Sequence, residues 1–213
     1  MYIAVSGNIC SGKSTVVRII SEKFKYKVIP YDRPELAVLD NFYNNIETLF
    51  LATQSSFLIN KAHQILNVLD KSSYVVDRNI YEDINVFARF WIENYNIPDL
   101  DIQTYKRLSD LIMAILPKPD IKVFCSCSLS TLLERYKKRE RRSFEHKYPI
   151  GYIEKLNYLY QKDNYFSECF CLNTDCYDMQ NPNAQQLLAQ DIYSIINGKL
   201  SNLQILESHI SNE

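Results

Sequence analysis

Short apolar runs alternate along the chain with longer stretches whose apolar residues recur every three or four positions, the pattern of strands interleaved with helices. Tyr2 to Val5 reads as a buried strand and residues 12 to 24 as the first helix. Tyr26 to Ile29 follows as a short second strand. Residues 47 to 68 set Leu51, Phe57, Leu58, Ala62, Ile65 and Leu66 at helical spacing and predict one long helix. Tyr74 to Val76 predicts a third strand, stopped by Asp77, with helical patterns at 81–95 and 99–115. Pro117 and Pro119 interrupt the chain before the strand Ile121 to Cys125. Helices are predicted from about 129 and over about 149–163, with Cys169 to Leu172 as the last strand. Asn181 and Pro182 suit an N-cap and first helical residue, and Gly198 suits the stop of a helix ending near Ile196. The alternation predicts an α/β fold, a five-stranded parallel sheet with helices on both faces. Residues 1–200 are expected to form one domain, and the polar tail 201–213 to be poorly ordered.

Composition narrows the class. Hydrophobic residues make up 46% and charged residues 23% of the 213, as in an ordinary globular protein. The net charge of -1 gives no global basic field, so nucleic acid is not expected as a partner. No apolar run is long enough to span a bilayer, so no membrane partner is expected either. The N-terminus MYIAVSG lacks the marks of a secretory signal, so the six cysteines are read as reduced thiols of a cytoplasmic protein. Cys125 with Cys127, and Cys169 with Cys171, alternate along two strands. A four-thiolate zinc site is the weaker reading of them, because zinc ligands usually show CxxC spacing and free cysteine is commonly buried.

Gly7-Asn8-Ile9-Cys10-Ser11-Gly12-Lys13-Ser14 matches GxxxxGK[ST] between a predicted strand and a predicted helix. Glycine lets the backbone wrap so that its N–H groups point at phosphate oxygens, and the following helix adds the positive end of its dipole. Lys13 would reach the outer phosphates and the Ser14 hydroxyl would bind magnesium, with Thr15 next along the helix. The motif alone does not separate a small-molecule kinase from a GTPase or an ATPase.

Val75-Val76-Asp77-Arg78 delivers an acid and an arginine to a strand's C-terminal end, where open α/β sheets hold ligands. Asp77 suits a magnesium site and Arg78 suits the charge of a transferred phosphoryl group. A surface ion pair is the alternative. Arg135, Lys137, Lys138, Arg139, Arg141 and Arg142 crowd a short segment after a helix. Such a run is commonly a solvated face. It also suits a basic lid closing over a triphosphate.

These residues together resemble the deoxynucleoside kinases, the family that includes deoxycytidine, deoxyguanosine and bacterial deoxyadenosine kinases. The likeness runs from about residue 1 to 196. It rests on the phosphate loop, FY at 42–43, Gln54, DRNIYED at 77–83, LPKPDI at 116–121, and TLLERYKKR with Glu145 behind it. It implies a P-loop kinase fold with a basic lid, ATP and magnesium as donor and metal, a deoxynucleoside as acceptor, and a homodimer formed through helices. Tyr43 and Glu145 match the pair that holds the sugar 3′-hydroxyl. Gln54 and Asp83 match the residues that read the base, Lys61 stands where the family has an arginine beside that acid, and Phe87 flanks the base. Arg78 matches the arginine near the 5′-oxygen. Arg139, Arg141 and Arg142 match lid arginines, and Asp175 lies in the loop expected at the adenine of the donor.

Two departures stand out. The family's catalytic glutamate after the second strand falls here on Tyr31, a poor general base at neutral pH. Asp32 is then the expected base, with Glu35 as the alternative. The family's RGR in the lid is Arg139-Glu140-Arg141-Arg142 here. Asp83 favours a base that offers an amino group, so a purine deoxynucleoside is expected, with deoxycytidine as an alternative. A nucleoside monophosphate kinase of the thymidylate kinase type and a non-catalytic nucleotide-binding protein are the rival readings.

Overall fold

The structure, a computed structural model, describes residues 1–29, 36–68, 73–139 and 143–210. Strands β1 (Tyr2–Ser6), β2 (Lys27–Ile29), β3 (Tyr74–Asp77), β4 (Ile121–Ser126) and β5 (Phe170–Asn173) form one sheet in the order β2-β3-β1-β4-β5. All four pairings are parallel. In the middle, Ile3 lies opposite Val75 on one side and Ile121 on the other. Every residue of β1 is buried, as a strand covered on both faces requires.

Alternate side chains divide between two cores. Ile3, Val5 and Val75 pack with Val16 and Ile20 of α1 (Lys13–Phe24) and with Leu188 and Ile192 of α10 (Pro182–Ile210). Tyr2, Ala4 and Val76 turn to the other face, against Ile65 of α3 (Ile46–Leu66). Beyond that face lies a larger aromatic core, built from α2 (Leu36–Asn44), α3, α5 (Arg89–Asn94), α6 (Asp99–Ile115) and α8 (Tyr152–Lys162). Trp91 is its hub, meeting Phe42 edge-on at 5.2 Å and stacking on Tyr152 at 5.4 Å. The chain leaves β1 toward β2 and β3 and returns on its other side as β4 and β5. The crevice at that switch point is where such sheets take ligands.

Several elements differ from expectation. Helix α2 was not predicted from the sequence. The expected helix 81–95 is α4 (Ile80–Glu82), a π-helical stretch Asp83–Ala88, and then α5. A π turn inserts a residue without changing composition, so hydrophobic spacing does not reveal it, and such turns concentrate at functional sites. Helix α10 runs through Gly198 to Ile210. A single interior glycine costs only about 1 kcal/mol against alanine, too little to end a helix. Two smaller helices, α7 (Leu129–Lys138) and α9 (Asn164–Ser167), flank the β4–β5 connection. On β4 and β5, Phe124 lies opposite Cys171 and Cys125 opposite Leu172, so Cys125 and Cys171 face opposite sides of the sheet. Among the described residues no group of three or more His, Cys, Asp or Glu is placed to hold a metal ion, and no helix is long and apolar enough to cross a membrane.

Candidate active site

Between Ser6 at the end of β1 and Lys13 at the start of α1, the chain folds into a tight loop. Gly7 and Gly12 take φ of 144° and 90°, in the region open to glycine. A Cβ on Gly7 would lie 2.6 Å from the Cys125 carbonyl, and one on Gly12 would lie 2.8 Å from the Met179 methyl. Cys10 also sits at positive φ, a conformation that costs a non-glycine residue about 1–2 kcal/mol. Side chains hold the loop. Asn8 accepts from the Ile9 amide at 2.7 Å and donates to the Ile153 carbonyl at 3.0 Å. Thr174 donates to the Ser11 carbonyl at 2.9 Å. The Thr15 amide donates to the Gly12 carbonyl at 3.0 Å, the first bond of α1.

Lys13 is buried and donates to the carbonyls of Gly7 at 2.6 Å and Asn8 at 2.7 Å. Burial first, and then the Arg78 charge, lower its pKa, while Glu82 and Asp77 oppose the shift. The Ser14 hydroxyl donates to the Asp77 carboxylate at 2.9 Å, so a hydroxyl and a carboxylate stand side by side at the mouth of the loop.

The end of β3 is a strained turn. Arg78 has φ 69°, its amide donates to the Val5 carbonyl, and its guanidinium lies 3.9 Å from the centre of the Phe87 ring. Asn79 and Glu82 then form a capping box: Asn79 accepts from the Tyr81 amide, and Glu82 reaches back to the Asn79 amide at 2.7 Å. Glu82 also accepts from the Gly7 amide at 2.9 Å and from the Tyr160 hydroxyl at 2.6 Å. The sequence reading missed Glu82 and Tyr160. An N-x-x-E spacing is the signal of a capping box, and it carries no sign of a contact with the phosphate loop.

A cavity of about 150 Å³ joins this loop to the residues expected at the acceptor. Ile9, Cys10, Lys13 and Ser14 line one end, and Tyr43, Gln54, Asp83, Phe87, Arg139 and Glu145 line the rest, with Asp77 and Arg78 also on its wall. Phe42, Phe57, Trp91 and Tyr148 line it too, and they were not foreseen. The rings of Trp91 and Tyr148 lie 5.8 and 5.6 Å from that of Tyr43. Glu145 is buried and ion-paired with Arg139. Asp83 is buried, and its Oδ2 has no hydrogen-bond partner among the described residues. Burial pushes its pKa up to about 6, against the lowering effects of Arg78 and then Lys61.

Lys61 lies behind the cavity wall rather than on it. It is buried, its ammonium donates to the Asp77 carbonyl at 3.1 Å, and burial lowers its pKa while Asp83 opposes the shift. Asp175 also lies off the cavity: its carboxylate accepts from the Ser128 amide at 2.8 Å at the start of α7. Arg135, from the basic segment, donates to the Thr174 carbonyl at 2.7 Å and so braces the same connection. Asp32, Arg141 and Arg142 lie outside the described residues, as do the alternatives Tyr31 and Glu35.

Parallel sheet, phosphate loop and adjoining cavity define a P-loop phosphotransferase. The chain belongs to the deoxynucleoside kinase family, whose family model matches residues 3–197. It is 30% identical to a deoxyguanosine kinase of Bacillus subtilis over 73% of this chain and 74% of that protein. It is 25% identical to a Bacillus subtilis deoxyadenosine/deoxycytidine kinase over 91% of this chain and 92% of that protein. The solved structure of a deoxyadenosine kinase from M. mycoides with bound dCTP superposes with a TM-score of 0.72 at 26% identity, covering 92% of this chain and all of that one.

The raised pKa of Asp83 carries a stability prediction. Its ordinary value is 3.8 and its folded value about 6. The folded state therefore favours the protonated acid. That contribution is complete below pH 3.8 and is lost as pH rises to about 6, above which folding buries a charge. Asp83→Asn keeps the shape without the charge. It is expected to melt at a higher temperature than the parent above pH 7, with the gap shrinking toward pH 5. Calorimetric melting across that range checks this; a lower melting temperature for the variant at pH 8 would contradict it.

Proposed function

We propose that the protein transfers the γ-phosphoryl group of ATP to the 5′-hydroxyl of a purine deoxynucleoside, with deoxycytidine as a weaker acceptor. The observation that carries the choice of base is Asp83, a buried carboxylate in the cavity whose Oδ2 has no hydrogen-bond partner among the described residues. A base with an amino group satisfies it, whereas thymine offers only its ring N–H and carbonyls. Buried Gln54 on the same wall supplies a second polar contact for the base edge. The names of the relatives, which include deoxyguanosine and deoxyadenosine/deoxycytidine kinases, support the same group of acceptors.

The chemistry follows from the groups at hand. The 5′-oxygen bonds to the γ-phosphorus as the bond to the β-phosphate oxygen breaks, and the hydroxyl proton passes to a carboxylate, assigned to Asp32. Lys13, Arg78 and the lid arginines, Arg139 among them, offset charge on the transferred group. Ser14 and Asp77 bring hard oxygen donors together at the mouth of the loop, a set that suits Mg²⁺. When bound, the ion neutralises charge on the outer phosphates. Tyr43 and Glu145 are assigned to the sugar, and the loop holding Asp175 to the adenine of the donor. Free thiols at all six cysteines suit a reducing, cytoplasmic setting.

The acceptor assay compares the four deoxynucleosides with ATP and Mg²⁺. The expected order of kcat/KM is purines first, deoxycytidine next and thymidine last; thymidine as the best acceptor would overturn the reading of Asp83. For the base, Asp32→Asn is expected to lose turnover that Glu35→Gln retains, measured at saturating substrates. The reverse result would move the role to Glu35.

A homodimer belongs to the same proposal. Ile59 and Leu66 on α3 and Leu100, Leu111 and Ile115 on α6 are exposed, and these two helices pack against each other. Such an apolar face on adjacent helices suits burial against a second copy. Light scattering is expected to give twice the chain mass for the parent and the chain mass for Ile59→Glu/Leu111→Glu. A monomeric parent at micromolar concentration would refute it.

A further inference from the structure

The two halves of the cavity are built from different elements, and one carboxylate outside the cavity touches both. Glu82 is fully buried and does not line the cavity. Its Oε1 accepts from the amide of Gly7, the residue that opens the phosphate loop, and from the hydroxyl of Tyr160 on α8. Its Oε2 accepts from the amide of Asn79. Asn79 directly follows Arg78, whose left-handed backbone aims the guanidinium across Phe87. Asp83 is the very next residue, at the start of the π-helical stretch. Two chain segments, 75 residues apart at Gly7 and Glu82, are thus joined through one side chain.

The hydrogen bonding leaves little slack. Tyr160 has one hydroxyl proton and two acceptors in reach, Glu82 at 2.6 Å and the Gly7 carbonyl at 3.0 Å. The Gly7 carbonyl already accepts from the Lys13 ammonium at 2.6 Å, so the hydroxyl serves Glu82. Three donors then converge on the two carboxylate oxygens. A buried carboxylate is costly unless its oxygens are satisfied, and these are satisfied by parts that must be held in register for the reaction.

We infer that Glu82 is a positioning residue for phosphoryl transfer: its carboxylate sets the separation between the phosphate loop and the turn that carries Arg78 and Asp83. Donor phosphate and acceptor are thereby held at the distance an in-line transfer requires. Lys13 also depends on it indirectly, because the carbonyl that seats the lysine belongs to Gly7.

Glu82→Gln tests this. The amide keeps the size of the side chain but has one oxygen, so its NH₂ must face either the Gly7 or the Asn79 amide, donor against donor. The expected result is a fall in kcat of about 100-fold, the loss that about 1 Å of misplacement produces, with KM for ATP and for the deoxynucleoside changed far less. Tyr160→Phe, which removes one donor and keeps the ring, is expected to lower kcat about tenfold with the same split. Ile192→Ala in the opposite core, remote from the cavity, is the control for lost stability and is expected to keep the parental kcat. If Glu82→Gln melts lower but its folded fraction turns over within about twofold of the parent, the role is structural and the inference fails. If Glu82→Gln does not fold, Tyr160→Phe decides: a kcat within about twofold of the parent overturns the inference.

Discussion

A loop that must present amide groups to a phosphate can use only some of them to hold its own shape, as the Ile9 and Ser11 amides do by donating to the Asn8 side chain and carbonyl. That constraint runs through the structure. Residues 7 to 12 sit between a buried strand and a helix, with positive φ at Gly7, Cys10 and Gly12. The rest of their shape is held from outside, by Asn8 reaching to Ile153, by Thr174 reaching to Ser11, and by Glu82 at the Gly7 amide with Tyr160 donating to that glutamate. Those partners come from the short helix α4 after the third strand, from α8 and from the connection after the fifth strand. The sheet order brings all three to the same end of β1, so the fold can be understood as the scaffold one loop requires.

The acceptor side shows a conflict between stability and chemistry. Asp83 and Lys61 are both buried, and burial works against the charged form of each. Their mutual attraction offsets part of that cost; Arg78 favours the charged form of Asp83 but repels Lys61. A hydrophobic pair would pack there without penalty. What such a pair could not provide is a hydrogen-bond acceptor on the cavity wall that Phe87 and Trp91 also line. The widened π turn that carries Asp83 and Phe87 places both on the cavity wall.

Some of this was legible in the sequence, for identifiable reasons. The phosphate loop announces itself because few residues other than glycine fit at positions 7 and 12, where an added Cβ would strike the Cys125 carbonyl or Met179. The central strands β1 and β3 were legible because burial on both faces leaves unbroken apolar runs such as Tyr2 to Val5. Most residues expected at the acceptor through family likeness, including Tyr43, Gln54, Asp83, Phe87 and Glu145, line one cavity. Lys61 does not, because the sequence carries no sign of which side of a wall a residue occupies. The π turn was hidden because it shifts phase without changing composition. Glu82 was hidden because its value lies in a contact with Gly7 that no local spacing encodes.

Family membership and the lining of the cavity beside the phosphate loop together favour an unphosphorylated sugar as acceptor. An aromatic wall with Tyr43 and a buried Glu145 suits a hydroxyl and disfavours a second phosphate, although Arg139 pairs with that glutamate. The most direct measurement supplies labelled ATP with deoxyguanosine or deoxyadenosine, and in parallel with the corresponding 5′-monophosphates, and follows the label. Transfer to the 5′-hydroxyl of the nucleoside is expected, with little or none to the monophosphate. Faster transfer to the monophosphates, yielding diphosphates, would contradict it.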